Sequence, residues 1–153
     1  MAIVFELKGK EAISDVKEFC RLKDELTYIG RFADKETSEV IQGEIVQYGG
    51  KFYSDEIPFH SGFGCSPADS EGMVTTSLEL FEVDYVPENC KPLGDCPIRI
   101  NVWNTAIDDE GPIAYYAFYG NQLEEAKNVV RSNDDVDIFV SGKETDKKDF
   151  LES

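Results

Sequence analysis

The sequence predicts an α+β fold: a mostly antiparallel, curved sheet or partly closed barrel, with an N-terminal amphipathic helix and a short helix between the last two strands. Three observations predict it. Apolar residues alternate with polar ones at Ile98, Ile100 and Val102 and again at Val136, Ile138 and Val140, the period-2 pattern of strands with one buried face. Gly, Pro and Asp clusters separate the apolar runs, as turns between strands require. Between two of these runs Leu123, Ala126 and Val130 recur at helical spacing. With 153 residues and 41% hydrophobic content, one domain over residues 1–142 is expected, and a charged C-terminal tail, 143–153, that frays.

In chain order, Ala2 to Leu7 reads as a strand. Gly9 opens a helical stretch in which Ala12, Ile13, Val16, Phe19, Cys20 and Leu26 mark one face and Lys10, Asp15, Lys17, Glu18 and Lys23 the other. Leu26 to Phe32 is a second strand, with Gly30 weakening it or marking a bulge. Val40 to Tyr48 and Lys51 to Phe59 form a hairpin through Gly49 and Gly50. His60 to Gly72 lacks periodicity and reads as a long loop of the kind that carries function. Met73 to Val86 is a long strand whose apolar phase changes between Leu80 and Phe81, as a β-bulge produces. Pro87 to Pro97 is a second irregular connection.

Residues 97–143 are the densest stretch. Ile98 to Trp103 is a strand, and Asp108, Asp109, Glu110, Gly111 and Pro112 supply a turn. Ile113 to Tyr119 is apolar or aromatic on both parities, which predicts a central strand covered on two faces. Asn121 with Glu124 has the form of a capping box for the helix that follows, and Asn133 suits its end. Val136 to Val140 is the last strand, closed by Gly142.

This order resembles part of an oligonucleotide-binding (OB) barrel of the single-strand DNA-binding type, in which a strand such as Ala114 to Gly120 precedes a short helix and one such as Asp137 to Lys143 follows it. The resemblance implies single-strand nucleic-acid binding, with Trp103, Tyr116 and Phe118 as the rings that stack on bases. The family pattern also expects a further closing strand, for which Glu144 to Ser153 is short and charged.

Charge points elsewhere. The net charge is −16, and residues 37–142 hold 5 basic and 19 acidic side chains, against 7 and 8 in residues 1–36. Affinity for phosphate backbones requires cations that replace condensed counterions, so nucleic acid is disfavoured as a partner. Carboxylates displayed at fixed positions between strands instead suit a basic protein partner, as in an inhibitor, an immunity protein or a nucleic-acid mimic. The six carboxylates of Asp108, Asp109, Glu110, Asp134, Asp135 and Asp137 form the candidate contact surface. A twelve-residue helix returns about 18 Å along a strand of about 23 Å, so the two acidic turns are expected at one edge.

Catalytic signals are weak. Phosphate-cradling Gly-rich motifs, a Ser/His/Asp signature and HExxH are all absent from the sequence, and no cofactor is expected. His60, Cys65, Cys90 and Cys96 are zinc-type ligands, but their intervals do not match a structural zinc site, so no metal is expected. Cys90 and Cys96 also suit a local disulfide under oxidation. An enzyme using Cys65 as thiol nucleophile with His60 as base is the further alternative. Met1 to Leu7 lack a basic leader and no apolar run approaches the length of a membrane helix, which predicts a cytoplasmic protein with reduced thiols and no membrane partner.

Overall fold

The computed structural model describes residues 2–58, 60–85, 87–103 and 112–153. Strands and helices follow in the order β1 (Ala2–Gly9), α1 (Val16–Leu22), β2 (Thr27–Gly30), β3 (Phe32–Asp34), β4 (Ile45–Tyr48), β5 (Lys51–Ser54), β6 (Glu56–Ile57), β7 (His60–Ser61), β8 (Phe63–Cys65), β9 (Val74–Glu82), β10 (Cys90–Pro92), β11 (Ile98–Val102), β12 (Ala114–Phe118), α2 (Leu123–Arg131), β13 (Val136–Val140), β14 (Lys143–Thr145) and α3 (Lys147–Glu152). The fold is α+β and mostly antiparallel, and neither main sheet closes into a barrel among the described residues. The chain packs as two compact units: Met1–Arg31 with Gln42–Pro87, and Phe32–Ile41 with Glu88–Ser153.

In the first unit the sheet runs β1-β9-β5-β4-β2, with β8 pairing β9 beside β5. Alternation along β1 and β9 turns Ile3, Phe5, Leu7, Leu78 and Leu80 toward one face, where Val16, Phe19 and Cys20 of α1 cover them. Gly49 and Gly50 both have positive φ, the turn that lets β4 and β5 pair in the expected hairpin. The N-terminal amphipathic helix expected from Gly9 is not borne out: β1 extends to Gly9 and the first helix is Val16–Leu22. Asp15 is its N-cap, accepting a hydrogen bond from Glu18 N–H at 2.8 Å, and Ile13 is held outside it by donating its N–H to Thr76 Oγ1 at 3.1 Å. The bulge expected in β9 is absent from its pairing with β1, which is one-to-one from Val74 to Phe81. The register shift lies instead at Gly30 between β2 and β4.

The loop expected over residues 60–72 contributes β7 and β8. Gly62 explains the crossing between them. A Cβ there would lie 2.0 Å from Glu79 O, so only glycine admits the Gly62 N–H to Asp55 O bond at 2.6 Å and the Glu79 N–H to Gly62 O bond at 2.7 Å.

In the second unit the sheet runs β12-β11-β13-β14, all antiparallel. Its inner face carries Ile98, Ile100, Val102, Tyr116, Phe118 and Ile138 beneath Leu123, Ala126 and Val130 of α2 and Phe150 of α3. β12 is not covered on two faces as predicted, because Tyr115 on its outer side is exposed while Tyr116 and Phe118 enter the core. Beyond β12 the chain at Ser38 to Val40 continues the pairing, with Ala117 N–H donating to Ser38 O and Val40 N–H to Tyr115 O. A 3₁₀ turn, Gly120–Gln122, precedes α2, and Gln122 rather than Glu124 reaches back, accepting from Tyr119 N–H at 2.8 Å. Asn133 ends the helix region by donating its side-chain amide to Val129 O. Residues 143–153 form β14 and α3, because Phe150 has an apolar core to enter.

Candidate functional site

The register of the second sheet decides which of its side chains meet solvent. Opposite residues share a face, so Asn101, Tyr115 and Asp137 stand side by side, and Trp103, just past the end of β11, continues the pairing with β13 through Asp135. The opposite parity belongs to the core beneath α2 and α3. At the other end of this outer face, Ala33, Leu93, Cys96 and Ala117 form a small apolar cluster, and Arg99 is drawn onto Leu93 O and Cys96 O. The face is covered at that end and open at the Trp103 end, where Ile113 is 60% and Tyr115 48% exposed.

Trp103 is anchored by both of its N–H groups. The indole donates to Asp137 Oδ2 at 2.7 Å, and the backbone N–H donates to Asp135 O at 2.9 Å. A charge-assisted bond of this length fixes the ring across β11 toward β13. Ile113 N–H donates to Val102 O at 2.8 Å, which secures the neighbouring strand. Asp134 and Asp135 are exposed and Asp137 is half-buried. Asp108, Asp109 and Glu110, and with them the predicted meeting of the two acidic turns at one edge, lie outside the described residues.

The rings expected to stack on a ligand divide between the two faces. Tyr116 and Phe118 are stacked on each other, 6.3 Å between centroids, on the core side; Trp103 is on the open side. Tyr115 and Ile113 are the open-face residues that sequence reasoning missed. The parity of Trp103 and Asn101 was the available signal, but β12 is aromatic on both parities and its own pattern does not distinguish them.

A second polar feature of this unit is Lys91, only 1% exposed. Its ammonium donates to Ser38 Oγ at 2.6 Å, Ala117 O at 2.8 Å and Gln122 Oε1 at 3.1 Å, which matches its three N–H groups to three acceptors. The rings of Phe118 and Tyr119 lie 5.3 Å away. Burial lowers its pKa, against the smaller opposing influence of Cys96, Glu125 and Asp34. With every donor engaged, Lys91 pins β10 to the turn at Ser38 and to the end of β12.

The zinc-type ligands are placed separately along their strands. His60 bonds Glu79 at 3.1 Å and packs edge-on against Phe81, while Cys65 is exposed and stands opposite Thr76, three residues away along β9, or about 10 Å. His60 therefore does not sit where a base for Cys65 would. Cys90 and Cys96 are buried free thiols whose pKa values burial raises, opposite to what a nucleophile needs. Among the described residues no group of three or more His, Cys, Asp or Glu side chains is placed to hold a metal ion.

In the first unit, buried Asp55 accepts Glu44 N–H at 2.6 Å, and Glu44 accepts Tyr28 O–H at 2.6 Å. Burial raises the pKa of Asp55, raises that of Tyr28 together with the Glu44 bond, and pushes the Cys20 thiol up to about 11 with help from Glu44 and Asp55. These groups brace the open end of the β4–β5 hairpin. No helix among the described residues is long and apolar enough to cross a membrane. No family model, curated protein or solved structure matches the chain.

Proposed function

We propose that the protein is a non-enzymatic binding module that presents fixed carboxylates to a basic protein partner, as an inhibitor, an immunity protein or a mimic of nucleic-acid charge does. The observation that carries this reading is the acid excess in both packed units: 14 acidic and 7 basic side chains in the first, 17 and 8 in the second. Internal neutralisation is slight. Among the described residues the cations that reach carboxylates are Lys8 to Asp69, Arg21 to Glu18, Lys51 to Glu82 and Lys127 to Glu124, apart from the His60 contact with Glu79.

Several carboxylates are also held in place. Asp34 and Asp69 each accept two backbone N–H bonds, which depress their pKa values and keep them anionic well into the acid range. Ordered charge steers association and selects against wrong partners more effectively than charge on a floppy tail.

A second reading, single-strand nucleic-acid binding, draws support from the exposed ring of Tyr115 beside Trp103 on an open sheet face. Asp135 and Asp137 on that same face oppose it by repelling phosphate. Anisotropy titrations with a labelled lysine-rich peptide and a labelled single-stranded oligonucleotide separate the two readings. Saturable peptide binding that weakens with salt is expected. Saturable binding of the oligonucleotide with a silent peptide refutes the acidic-module reading.

A further inference from the structure

We infer that the open end of the outer face of the second sheet is where the basic partner docks, and that its anchor is an arginine side chain laid against Trp103 and Tyr115. This rests on the acidic-module reading and adds to it a place and a side-chain chemistry.

Three features of the face lead to that occupant. The first is exposed apolar surface: Tyr115 on β12 and Ile113 just before it are among the most exposed large hydrophobic side chains of the described residues. The second is a pair of rings on this side of the sheet: Tyr115 stands opposite Asn101, and Trp103, just past the end of β11, has its indole held toward Asp137. The third is charge. Asp135 and Asp137 flank the rings, and the cation belonging to this face, Arg99, is spent on Leu93 O and Cys96 O at the covered end.

A cation that stacks satisfies all three features. The guanidinium is planar, delocalised and more weakly hydrated than an ammonium, so it gives up less solvation when it lies on a ring and still offers N–H groups to a carboxylate. A lysine keeps the Coulomb attraction to Asp135 and Asp137 and part of the attraction to the rings, and loses the flat stacking of a planar cation. A phosphate chain keeps the stacking of its bases and meets repulsion from the same two carboxylates. Asp137 acts as a positioning residue, since its bond to the indole holds the Trp103 ring toward β13.

Trp103 is the chain's one tryptophan, so its emission reports on this face alone. The test titrates the full chain with an arginine-rich peptide, a lysine-rich peptide of equal length and charge, and a single-stranded DNA oligonucleotide. Each titration follows Trp103 emission together with the anisotropy of the labelled probe. The arginine peptide is expected to shift Trp103 emission and to bind about two- to fivefold more tightly than the lysine peptide. Tyr115→Ala should remove most of that preference without moving the thermal midpoint, because Tyr115 is exposed. Asp149→Asn, a carboxylate on α3, should leave the preference intact.

Equal binding of the two peptides with unmoved Trp103 emission overturns the site and leaves the acidic-module reading standing. Absence of binding by both peptides overturns the site and that reading together. Oligonucleotide binding that quenches Trp103 overturns the arginine assignment in favour of a single-strand nucleic-acid platform.

Discussion

Replacing Lys91 by methionine tests the packing logic of the second unit, because it removes a buried charge and keeps most of the volume. The ammonium serves Ser38 Oγ, Ala117 O and Gln122 Oε1, and its loss leaves each short of one donor. A buried acceptor left without its donor costs about 1–3 kcal/mol. Gln122 Oε1 keeps the Tyr119 N–H, and the Ser38 hydroxyl can rotate, so the full cost falls chiefly on Ala117 O. Relief from desolvating a cation offsets part of the loss. A net destabilisation of about 2 kcal/mol is expected, or roughly 4–8 °C in the thermal midpoint of a chain of this size.

The pH dependence provides a sharper check on Lys91. Its folded pKa is depressed below the ordinary 10.5 by burial, so between the two values the unfolded chain holds a proton that the native chain has released. Stability from this group therefore rises with pH through that window, and the methionine variant lacks the rise. Urea denaturation of both proteins at neutral pH and near the ordinary lysine value measures it, and the wild-type advantage should widen as pH increases. A variant as stable as wild type at neutral pH, or an advantage that narrows toward alkaline pH, refutes the reasoning.

Asp55→Asn should be at least as stable as wild type at neutral pH, since the amide oxygen can still accept Glu44 N–H and the cost of burying a carboxylate disappears; with the folded pKa raised above 3.8, that advantage should shrink as pH falls toward the ordinary value, which acid-titrated denaturation curves will show. Gly62→Ala should cost more than about 3 kcal/mol or abolish soluble expression, because the new methyl would meet backbone at Glu79 O; a midpoint within a degree of wild type would contradict the close approach. In thiol labelling of the native protein, Cys65 should react at once, and Cys20, Cys90 and Cys96 only on unfolding, since those three are buried with raised pKa values.

What the sequence by itself determined is the set of features written within a few residues of one another. The alternation of Ile98, Ile100 and Val102 and of Val136, Ile138 and Val140 specifies two strands with one buried face each. Gly49 and Gly50 specify the hairpin they close, and Leu123, Ala126 and Val130 specify the buried stripe of α2. The start of α1 was also locally encoded, in Asp15 and Glu18, but the apolar residues Ala12 and Ile13 mimic a longer helical face.

The tertiary structure decided what depends on partners far away in the chain. Tyr115 and Tyr116 are chemically identical neighbours, and only the placement of α2 and α3 against one side of the sheet sends Tyr116 to the core and leaves Tyr115 in water. The charged residues 143–153 fold because β13 offers an unpaired edge to Lys143–Thr145 and the core offers space for Phe150. Lys91 lies within an irregular, charged stretch, and its burial follows from acceptors on Ser38, Ala117 and Gln122, up to 53 residues distant. Periodicity records which residues share a face; which face is covered, and by what, is set by contacts that local pattern does not contain.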